Sequence, residues 1–325
     1  MDLSIIIVNY RGWKHLRECL YSLAAFKGTT FKAEVIIVDN NSDDGLIDKF
    51  KSDYPDFIFI RNKINGGFAN GCNLGSTFAK GEYFLFLNPD TVALEKEVEK
   101  LLERAKKNPS IFISSCRQVN KNGKENKAFG IFPGFGTLTG FGRAIYRVLN
   151  KKKIAERSEE KLNLITPDWV SGSVMMINRK IFQRTGGFDE DFWMYFEDMD
   201  LCQRARNLDG EIVYYTDITI QHNHGGSSRI DLKTTSLTKT EVIISNHLYI
   251  SKHHSGPDRF LIQSYLVFYN LLTGTLMFLL GILFFKNYKM LVRVNMFGRL
   301  TGYYFGALMR RSWISPRSVN CNKND

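Results

Sequence analysis

Carboxylates follow apolar runs at two points in the first third of the chain. Asp39 comes directly after the β-branched run 34–38, and Asp90 follows five apolar residues at 83–87, with Asn88 between them. Each run predicts a buried strand, and open α/β sheets bind their ligands beyond the carboxyl ends of such strands. Asp90 is therefore a candidate for a metal or phosphate site, and Asp39 for contact with a ribose or a base. Two alternatives stay open: Asp90 or Thr91 caps a helix predicted over 92–107, and Asp39 closes an Asx turn.

A denser acidic cluster lies further along the chain, where Glu197, Asp198 and Asp200 follow the aromatic-rich segment 192–196. A carboxylate among aromatic surfaces tends to have a raised pKa, which suits a general base. The alternative is structural, because acidic residues in the first turn of a helix are favoured by the helix dipole.

Two further features could contact a nucleotide or its metal. Asn65 and the glycines after it precede a predicted helix, and glycines at a helix N-terminus let free N–H groups approach a diphosphate. This loop has neither the Walker lysine nor the GxGxxG spacing. His222 closes an apolar run, where a histidine is usually a satisfied core residue, but with Asp90 it offers the mixed oxygen and nitrogen ligands that Mn²⁺ accepts. His224 is the alternative ligand.

The elements that must position these residues alternate between strand and helix. Predicted strands at 3–8 and 34–38 flank a predicted helix at 13–23, and a strand at 168–177 carries small residues, including Gly172, that permit close approach of a ligand. This alternation predicts an α/β fold with a mainly parallel, doubly wound sheet. The less regular segment 117–165 is interpreted as an insertion or loop region near the site.

Composition narrows the class of protein. The 325 residues are 44% hydrophobic, enough for a packed core, and the five cysteines show no CxxC pair, so we expect neither a zinc site nor a disulfide framework. The N-terminus lacks a basic segment ahead of an apolar one, and we expect no secretory signal. The net charge is +11, and from residue 251 onward ten lysines and arginines face two aspartates. A basic, aromatic-rich segment suits nucleic acid or an anionic membrane, and its apolar neighbour favours the membrane.

That neighbour is the segment 260–285, 26 residues without a charge and long enough to cross a bilayer. A single crossing would export the basic tail, against the positive-inside bias. We therefore predict a helix or a broken helical hairpin, interrupted at 270–275, that enters the cytoplasmic leaflet without crossing. A basic amphipathic segment at 288–309 would then lie in the interface. A single transmembrane span and a helix packed on the protein remain alternatives.

Five motifs occur in a fixed order and resemble those of the family 2 inverting glycosyltransferases, which have a GT-A fold. They are Asp39, Asn65-Gly66-Gly67-Phe68, Asn88-Pro89-Asp90, Glu197-Asp198-x-Asp200-Leu201-Cys202 and His222-x-x-Gly225-x-Ser227. The bacterial rhamnosyltransferase-like branch is the most similar, and the resemblance covers roughly residues 3–230. It implies a catalytic domain at 1–232 and a helical, membrane-associating region at 233–325.

The resemblance also implies roles for individual residues. The predicted donor-binding residues are Asp39, Asn65, Gly67, Asn88 and Asp90. Asp90 and His222 would hold a divalent metal, Mn²⁺ or Mg²⁺, although Asn88 stands where the family's metal-binding motif has its first aspartate. Asp198 would be the catalytic base, supported by Glu197. The predicted acceptor-binding residues are Trp169, Gly172 and Trp193.

The implied function is transfer of a single sugar to a lipid-linked or polysaccharide acceptor in cell-surface glycan synthesis, such as O-antigen, at the cytoplasmic face of the inner membrane. The Gln-x-x-Arg-Trp motif of processive synthases is absent from the sequence, which favours single addition. The resemblance suggests L-rhamnose from dTDP-rhamnose as donor. A UDP-hexose donor and a non-catalytic nucleotide-sugar-binding scaffold remain alternatives, and no nucleic-acid partner is expected.

Overall fold

The structure is a computed structural model, in which we describe residues 1–27, 30–137, 144–145, 148–149, 158–159, 163–223, 231–284 and 287–321. Much of the irregular segment predicted at 117–165 lies outside these residues. The alternative metal ligand His224 lies outside them as well.

The first part of the chain is a regular strand–helix alternation. Its elements are β1 (Leu3–Asn9), α1 (Trp13–Ala24), β2 (Ala33–Asp39), α2 (Leu46–Asp53), β3 (Ile58–Arg61), α3 (Gly67–Phe78) and β4 (Tyr83–Leu87). The four strands are parallel and lie in the order β3-β2-β1-β4. Asn9 pairs with Asp39 at the carboxyl ends of β1 and β2. The predicted parallel sheet is thus confirmed, and the edge that carries Asp39 also carries the end of β4.

The second part extends the sheet from β4. Its elements are β5 (Thr91–Val92), α4 (Glu95–Lys107), β6 (Ile111–Val119), β7 (Phe129–Gly130), β8 (Ser158–Glu159), β9 (Leu164–Ile165), β10 (Trp169–Val170), β11 (Val174–Asn178), α5 (Arg179–Arg184), α6 (Glu197–Arg206) and β12 (Glu211–His222). The strand order continues β4-β11-β6-β12-β9-β8, and β11 is antiparallel to both of its neighbours. β7 and β10 form a separate antiparallel pair.

Two predicted elements differ from the structure. The helix predicted over 92–107 begins at Glu95, because Thr91 and Val92 form β5 and pair with β12. Leu94 occupies the N-cap without a side-chain hydrogen bond, so neither Asp90 nor Thr91 caps this helix. The strand predicted over 168–177 is interrupted between β10 and β11, since residues 171–173 leave the sheet.

Apolar side chains fill both faces of the sheet, because successive strand residues point to opposite sides. On one face, Ile5 and Leu85 join a core with helices α1 and α4. On the other, Ile6 and Phe86 join a core with α3, α5 and α6. Burial on both faces explains why β1 and β4 are continuous apolar runs.

Three long helices follow the sheet: α7 (Leu232–His253), α8 (Gly256–Leu283) and α9 (Tyr288–Arg310). The predicted interruption at 270–275 is wrong, because α8 runs unbroken through it. The chain reverses after α8, and α9 packs against it. A Cβ atom on Gly274 would contact Phe297, and one on Gly281 would contact Val294. These two close approaches make α8 and α9 an antiparallel hairpin, with the two glycines allowing the helices to come close together.

The C-terminal segment after α9 returns to the α/β domain. The Ser318 hydroxyl donates to the Glu190 carbonyl at 2.8 Å, and the Asn320 amide donates to the Asp191 carboxylate at 2.9 Å. Both ends of the hairpin therefore lie beside the α/β domain. Among the described helices, only α8, over residues 256–281, is long and apolar enough to cross a membrane, and most of that stretch is not buried by the protein.

Candidate active site

The glycine loop before α3 is held against the segment that precedes α6. Gly67 has φ of +86°, and its missing Cβ would lie 1.8 Å from the Trp193 carbonyl oxygen. That carbonyl accepts the Phe68 N–H at 3.1 Å, and the Trp193 indole N–H donates to the Asn65 carbonyl at 3.1 Å. Only glycine fits at position 67, both for its backbone conformation and for the close approach of a second backbone.

Side-chain amides continue this support. Asn40 donates to the Gly67 carbonyl at 2.9 Å and to the Asn65 side chain at 3.0 Å, and Asn62 donates to Asn40 at 2.8 Å. Glu190 accepts hydrogen bonds from Asn70 and Asn73 on α3, at 2.9 and 2.8 Å. Sequence reasoning missed this network. Its only local signal was the frequency of asparagine in 40–73, which does not show how the residues pair.

Asp39 is buried at the carboxyl end of β2, and its Oδ1 accepts the Ser42 N–H at 3.3 Å. Burial raises the pKa of Asp39, and the hydrogen bonds from Ser42 oppose that rise. The turn-closing alternative is therefore present in the structure. The predicted contact of Asp39 with a nucleotide stays a prediction.

Asp90 and His222 come together where β4, β5 and β12 meet. The His222 Nε2 atom lies 3.2 Å from Asp90 Oδ1 and 3.4 Å from the Asn88 side-chain amide. The backbone joins them as well, because the Asn223 N–H donates to the Asp90 carbonyl and Thr91 pairs with His222. The sheet thus brings together two residues separated by more than 130 positions.

Gln118 on β6 decides which nitrogen of His222 faces Asp90. The Gln118 Oε1 atom lies 2.8 Å from His222 Nδ1 and also accepts the Ser173 hydroxyl at 2.8 Å. An oxygen at this place assigns the proton to Nδ1, which leaves the Nε2 lone pair directed toward Asp90. A lone pair and a carboxylate oxygen at 3.2 Å need a proton or a cation between them.

This pair fits a divalent metal in its donor chemistry and spacing. Two cis ligands of an octahedral ion, each about 2.1 Å from it, lie about 3.0 Å apart, close to the observed 3.2 Å. The described residues hold no group of three or more His, Cys, Asp and Glu side chains suited to a metal. Any remaining ligands would therefore come from substrate oxygens, water or the Asn88 amide.

Asp198 lies in the first turn of α6 and is positioned by backbone donors. Its Oδ2 accepts the Gly172 N–H at 2.9 Å, and its Oδ1 accepts the Met199 N–H at 2.8 Å. Burial raises the pKa of Asp198, and these two donors oppose the rise. The neighbouring Glu197 is more deeply buried. Burial and the adjacent Asp198 charge raise the pKa of Glu197 well above its usual value.

Asp200, the third acidic residue of the cluster, has a structural role. Burial alone would raise the pKa of Asp200, but hydrogen bonds and charge from His253 and Arg204 lower it overall. His253 Nε2 lies 2.7 Å from one carboxylate oxygen, and Arg204 donates to the other at 2.8 Å. Since His253 belongs to α7, this contact ties the helical region to the helix that carries Asp198.

The predicted acceptor-binding residues have different environments. Trp169 is half-buried, and its indole N–H donates to the Ile131 carbonyl at 3.0 Å. Gly172 packs beside the Phe68 ring and contacts Asp198 as described. Trp193 is only 5% exposed, and it supports the glycine loop. Their roles toward an acceptor stay predictions.

The short segment 172–173 connects the Asp90–His222 pair to the Asp198 carboxylate on α6. The Asn88 N–H donates to the Ser173 carbonyl at 3.0 Å, and Ser173 directly follows Gly172, whose N–H contacts Asp198. The interruption between β10 and β11 thus places Asp198 beside the end of β4. Ser173 also binds Gln118, so both halves of the site rest on the same residue.

Comparison with known proteins identifies the family. The family model described as "Glycosyl transferase family 2" matches residues 4–186, more than half of the chain. The chain belongs to glycosyl transferase family 2. A second model, described as "N-terminal domain of galactosyltransferase", matches residues 158–224 of this family 2 protein, the part that carries Asp198 and His222. The resemblance inferred from the five motifs is thereby confirmed, and the protein is a glycosyltransferase.

Curated relatives of this family 2 chain include hexosyl- and rhamnosyltransferases. The low-salt glycan biosynthesis hexosyltransferase Agl10 of Haloferax volcanii is 31% identical over 63% of this chain and 62% of its own length. The rhamnosyltransferase WbbL of Escherichia coli is 27% identical over 65% of this chain and 79% of its own. The N-acetylglucosaminyl-diphospho-decaprenol L-rhamnosyltransferase of Mycobacterium tuberculosis is 24% identical over 78% and 85%.

Solved structures confirm the GT-A fold of this family 2 protein. A mannosyltransferase of Pyrobaculum calidifontis, in complex with GDP-Man and Mn²⁺, superposes with a TM-score of 0.51 at 16% identity, over 82% of this chain and 68% of that one. GalNAc-T7, solved with UDP, GalNAc and Mn²⁺, gives 0.54 at 15% identity, over 82% and 53%.

Proposed function

We propose that this protein is an inverting glycosyltransferase that adds one L-rhamnose from dTDP-rhamnose to a lipid-linked acceptor. The observation that carries the proposal is the juxtaposition of the Asp90–His222 pair with the Asp198 carboxylate through the Asn88–Ser173 contact. This geometry brings a pair of side chains that could hold a divalent cation close to a proton acceptor. A displacement at an anomeric carbon requires both, because charge on the leaving group must be neutralised and a proton must be removed.

Asp198 is the proposed general base. An acceptor hydroxyl must lose its proton as it attacks the anomeric carbon, and the raised pKa of Asp198 strengthens its carboxylate as a base. The N–H donors from Gly172 and Met199 hold the carboxylate in place and oppose the rise in its pKa. Direct attack on the face opposite the departing diphosphate inverts the anomeric centre. Glu197 is buried behind Asp198, and we assign it a supporting role.

The departing nucleoside diphosphate is proposed to lie against the end of β4. Asp90 and His222 would hold Mn²⁺ or Mg²⁺, which when bound neutralises charge on the diphosphate. Asn65 and Gly67 would lie along the nucleotide, and Asp39 would contact its base or ribose. Asn40 and Trp193 fix the backbone of the glycine loop by hydrogen bonds to the carbonyls of Gly67 and Asn65. The nucleotide would then approach the other side of the loop.

The choice of donor and acceptor follows the relatives. WbbL is a rhamnosyltransferase, and the Mycobacterium tuberculosis relative is named for rhamnosyl transfer to a diphospho-decaprenol-linked sugar. We infer the same substrate classes here, with Trp169 and Gly172 at the acceptor side of Asp198 and Trp193 positioning the loop behind them. Agl10, a hexosyltransferase, supports the competing choice of another nucleotide hexose.

A lipid-linked acceptor requires the enzyme to be at a membrane, and we propose that the α8–α9 hairpin provides the contact at the cytoplasmic face. Large apolar side chains lie exposed along both helices. They include Phe260, Leu261, Phe268, Leu272, Leu276, Leu279, Phe305 and Leu308. So extensive an apolar surface is rare on a protein surrounded by water. Because the C-terminal segment returns to the α/β domain, the hairpin enters the membrane and leaves it on the same side.

A screen of donors tests the activity. Purified protein is incubated with dTDP-, UDP- and GDP-sugars, Mn²⁺ or Mg²⁺, and a short prenyl-diphosphate-linked N-acetylglucosamine. We expect turnover with dTDP-rhamnose and a product of inverted anomeric configuration by NMR. Turnover of UDP-hexoses alone would refute the donor assignment, and binding without transfer of any sugar would support a scaffold instead.

Cysteine labelling in intact cells tests the membrane contact, because the five native cysteines are buried. Single cysteines replace Lys289, at the turn of the hairpin, and the exposed Pro316. Protection of both from a membrane-impermeant reagent supports a hairpin held in the cytoplasmic leaflet. Labelling of position 289 alone would show that the hairpin crosses, and labelling of position 316 would show that α8 is a single span.

A further inference from the structure

A cavity of about 550 Å³ lies at the base of the α8–α9 hairpin, where α8 begins and α9 ends. Its walls combine cations with apolar side chains: Arg259 and Arg311 lie alongside Phe260, Trp313 and Ile314. The residues assigned to catalysis, the donor and the metal do not line it. It is therefore distinct from the candidate active site.

Two arginines in this cavity lack an anionic partner. Within the described part of the chain, no ion pair or side-chain hydrogen bond engages the guanidinium of Arg259 or of Arg311, although other charges around the cavity are matched. The Lys252 Nζ atom lies 2.6 Å from a carboxylate oxygen of Asp189 and 2.6 Å from one of Asp191. Asp191 also accepts a hydrogen bond from the Asn320 side-chain amide at 2.9 Å. The acid in the cavity wall is thus already neutralised, and the positive charges of Arg259 and Arg311 remain in the lining of the same cavity.

The cavity opens toward the apolar surface of the hairpin. Phe260 belongs to its wall, is 70% exposed and begins the exposed apolar face that continues along α8 through Leu261 and Phe268. A ligand with an anionic head and an apolar chain would match both features. At the base of an inserted hairpin, the cavity lies at the depth of lipid headgroups.

We propose that this cavity binds the phosphate headgroup of an anionic membrane phospholipid, with an acyl chain along the exposed face of α8. The guanidiniums of Arg259 and Arg311 would pair with the phosphate oxygens, which arginine does with two donors at once. This inference rests on the membrane contact given under Proposed function. The occupant is a bulk phospholipid rather than the acceptor, because a lipid held here contacts none of the residues assigned to transfer.

The test measures lipid retained by the full-length protein. Protein in a neutral detergent is titrated with dioleoyl phosphatidylglycerol or dioleoyl phosphatidylcholine, and bound lipids are counted by native mass spectrometry. We expect one phosphatidylglycerol per chain at concentrations where phosphatidylcholine is not retained. The double variant Arg259→Gln/Arg311→Gln should weaken this binding at least about tenfold, since each charge-assisted contact is worth about that much.

Arg293→Gln is the matched control, because Arg293 is an exposed arginine on the same hairpin but outside the cavity. It should retain phosphatidylglycerol as the wild type does, and inorganic phosphate at millimolar concentration should not displace the lipid. Equal retention of the two phospholipids, or equal loss in the control, would overturn the proposal. Preferential displacement by farnesyl diphosphate would overturn the phospholipid and indicate the acceptor.

Transfer activity in detergent keeps this test separate from the proposed function. The double variant leaves every assigned catalytic and donor-binding residue in place, so its turnover of a soluble acceptor analogue should equal that of the wild type. If the double variant loses lipid retention but keeps its turnover, the result supports phospholipid binding in the cavity. If the protein is active but retains the two lipids equally, the result refutes phospholipid binding in the cavity and leaves the proposed transfer function standing.

Discussion

Replacement of Gly67 by alanine is expected to disrupt the glycine loop before α3 far more than the backbone conformation of Gly67 alone would explain. Gly67 has φ of +86°, and a Cβ there would lie 1.8 Å from the Trp193 carbonyl oxygen. Gly186 is the matched control, with φ of +81° and no atom within 4 Å of the corresponding Cβ. Both substitutions force alanine into the left-handed region, which costs about 1–2 kcal/mol. Only the first one also meets a second backbone.

The additional effect at Gly67 follows from that contact. Contacting carbon and oxygen atoms settle about 3.5 Å apart, so the two segments must separate by roughly 1.7 Å. This movement breaks the bond from the Phe68 N–H, worth about 1 kcal/mol, and adds packing strain of about 1–3 kcal/mol. We therefore expect Gly67→Ala to be less stable than Gly186→Ala by about 2–4 kcal/mol.

Thermal unfolding and nucleotide binding measure the two consequences. For a domain of this size each kcal/mol lowers Tm by about 2–4 °C, so Gly67→Ala should unfold roughly 4–16 °C below the control. Calorimetric titration with dTDP should show affinity lost in Gly67→Ala and kept in Gly186→Ala. Tm values within 2 °C of each other would show that the loop adapts easily, and the argument from the close approach would fail.

Three further perturbations address the site and the helical region. Asp198→Asn should lower turnover about 10²–10⁴-fold with dTDP-rhamnose affinity unchanged, since the amide keeps an oxygen for one of the two backbone donors but cannot accept the proton. Near-normal turnover would move the base elsewhere. His222→Ala should weaken Mn²⁺ binding to the dTDP complex, measured by electron paramagnetic resonance, and unchanged binding would remove His222 from the metal site. Burial lowers the pKa of His247 to about 4, against its hydrogen bond with Gln263. Below about pH 6.5 the unfolded chain takes up a proton that the folded chain refuses, so the free energy of unfolding should fall by up to about 3 kcal/mol as the pH approaches 4. Denaturant titrations should show this slope in the wild type, and an equal slope in His247→Gln would contradict the assignment.

The local sequence pattern was sufficient to predict a structural element wherever that element depends on its own residues. The five apolar residues before Asn88 are β4, because an unbroken apolar run of that length is buried on both faces of a parallel sheet. The glycines after Asn65 begin α3 within one or two residues of the expected place. Asp90, Asp198 and His222 were singled out by type and by motif order. The structure brings Asp90 and His222 together where β4, β5 and β12 meet, and it places Asp198 against the segment 171–173, which contacts the end of β4.

Pairing between distant segments was beyond the sequence. Nothing near Thr91 shows that it forms a two-residue strand, because that strand exists only through its pairing with His222. Gln118 lies in an ordinary strand, and its part in orienting His222 depends on the packing of β6 beside β12. The break that was considered within 270–275 was wrong for the same reason, and the unbroken helix, the other option for 260–285, is observed. Asn270 looked like a break in isolation, yet in α8 its amide donates to the Tyr304 hydroxyl on α9 at 3.1 Å.

The sequence by itself determined the α/β class, the family and which residues are candidates for the site, since these depend on residue type, apolar periodicity and motif order along the chain. Tertiary structure alone decided which nitrogen of His222 faces Asp90, which backbone donors hold Asp198, and that the C-terminal segment returns to the α/β domain. The physical reason is that a hydrogen bond or a close backbone approach is specified by two surfaces. A local stretch of sequence describes only one of these two surfaces. The other belongs to a distant segment, which reaches it only when the chain folds.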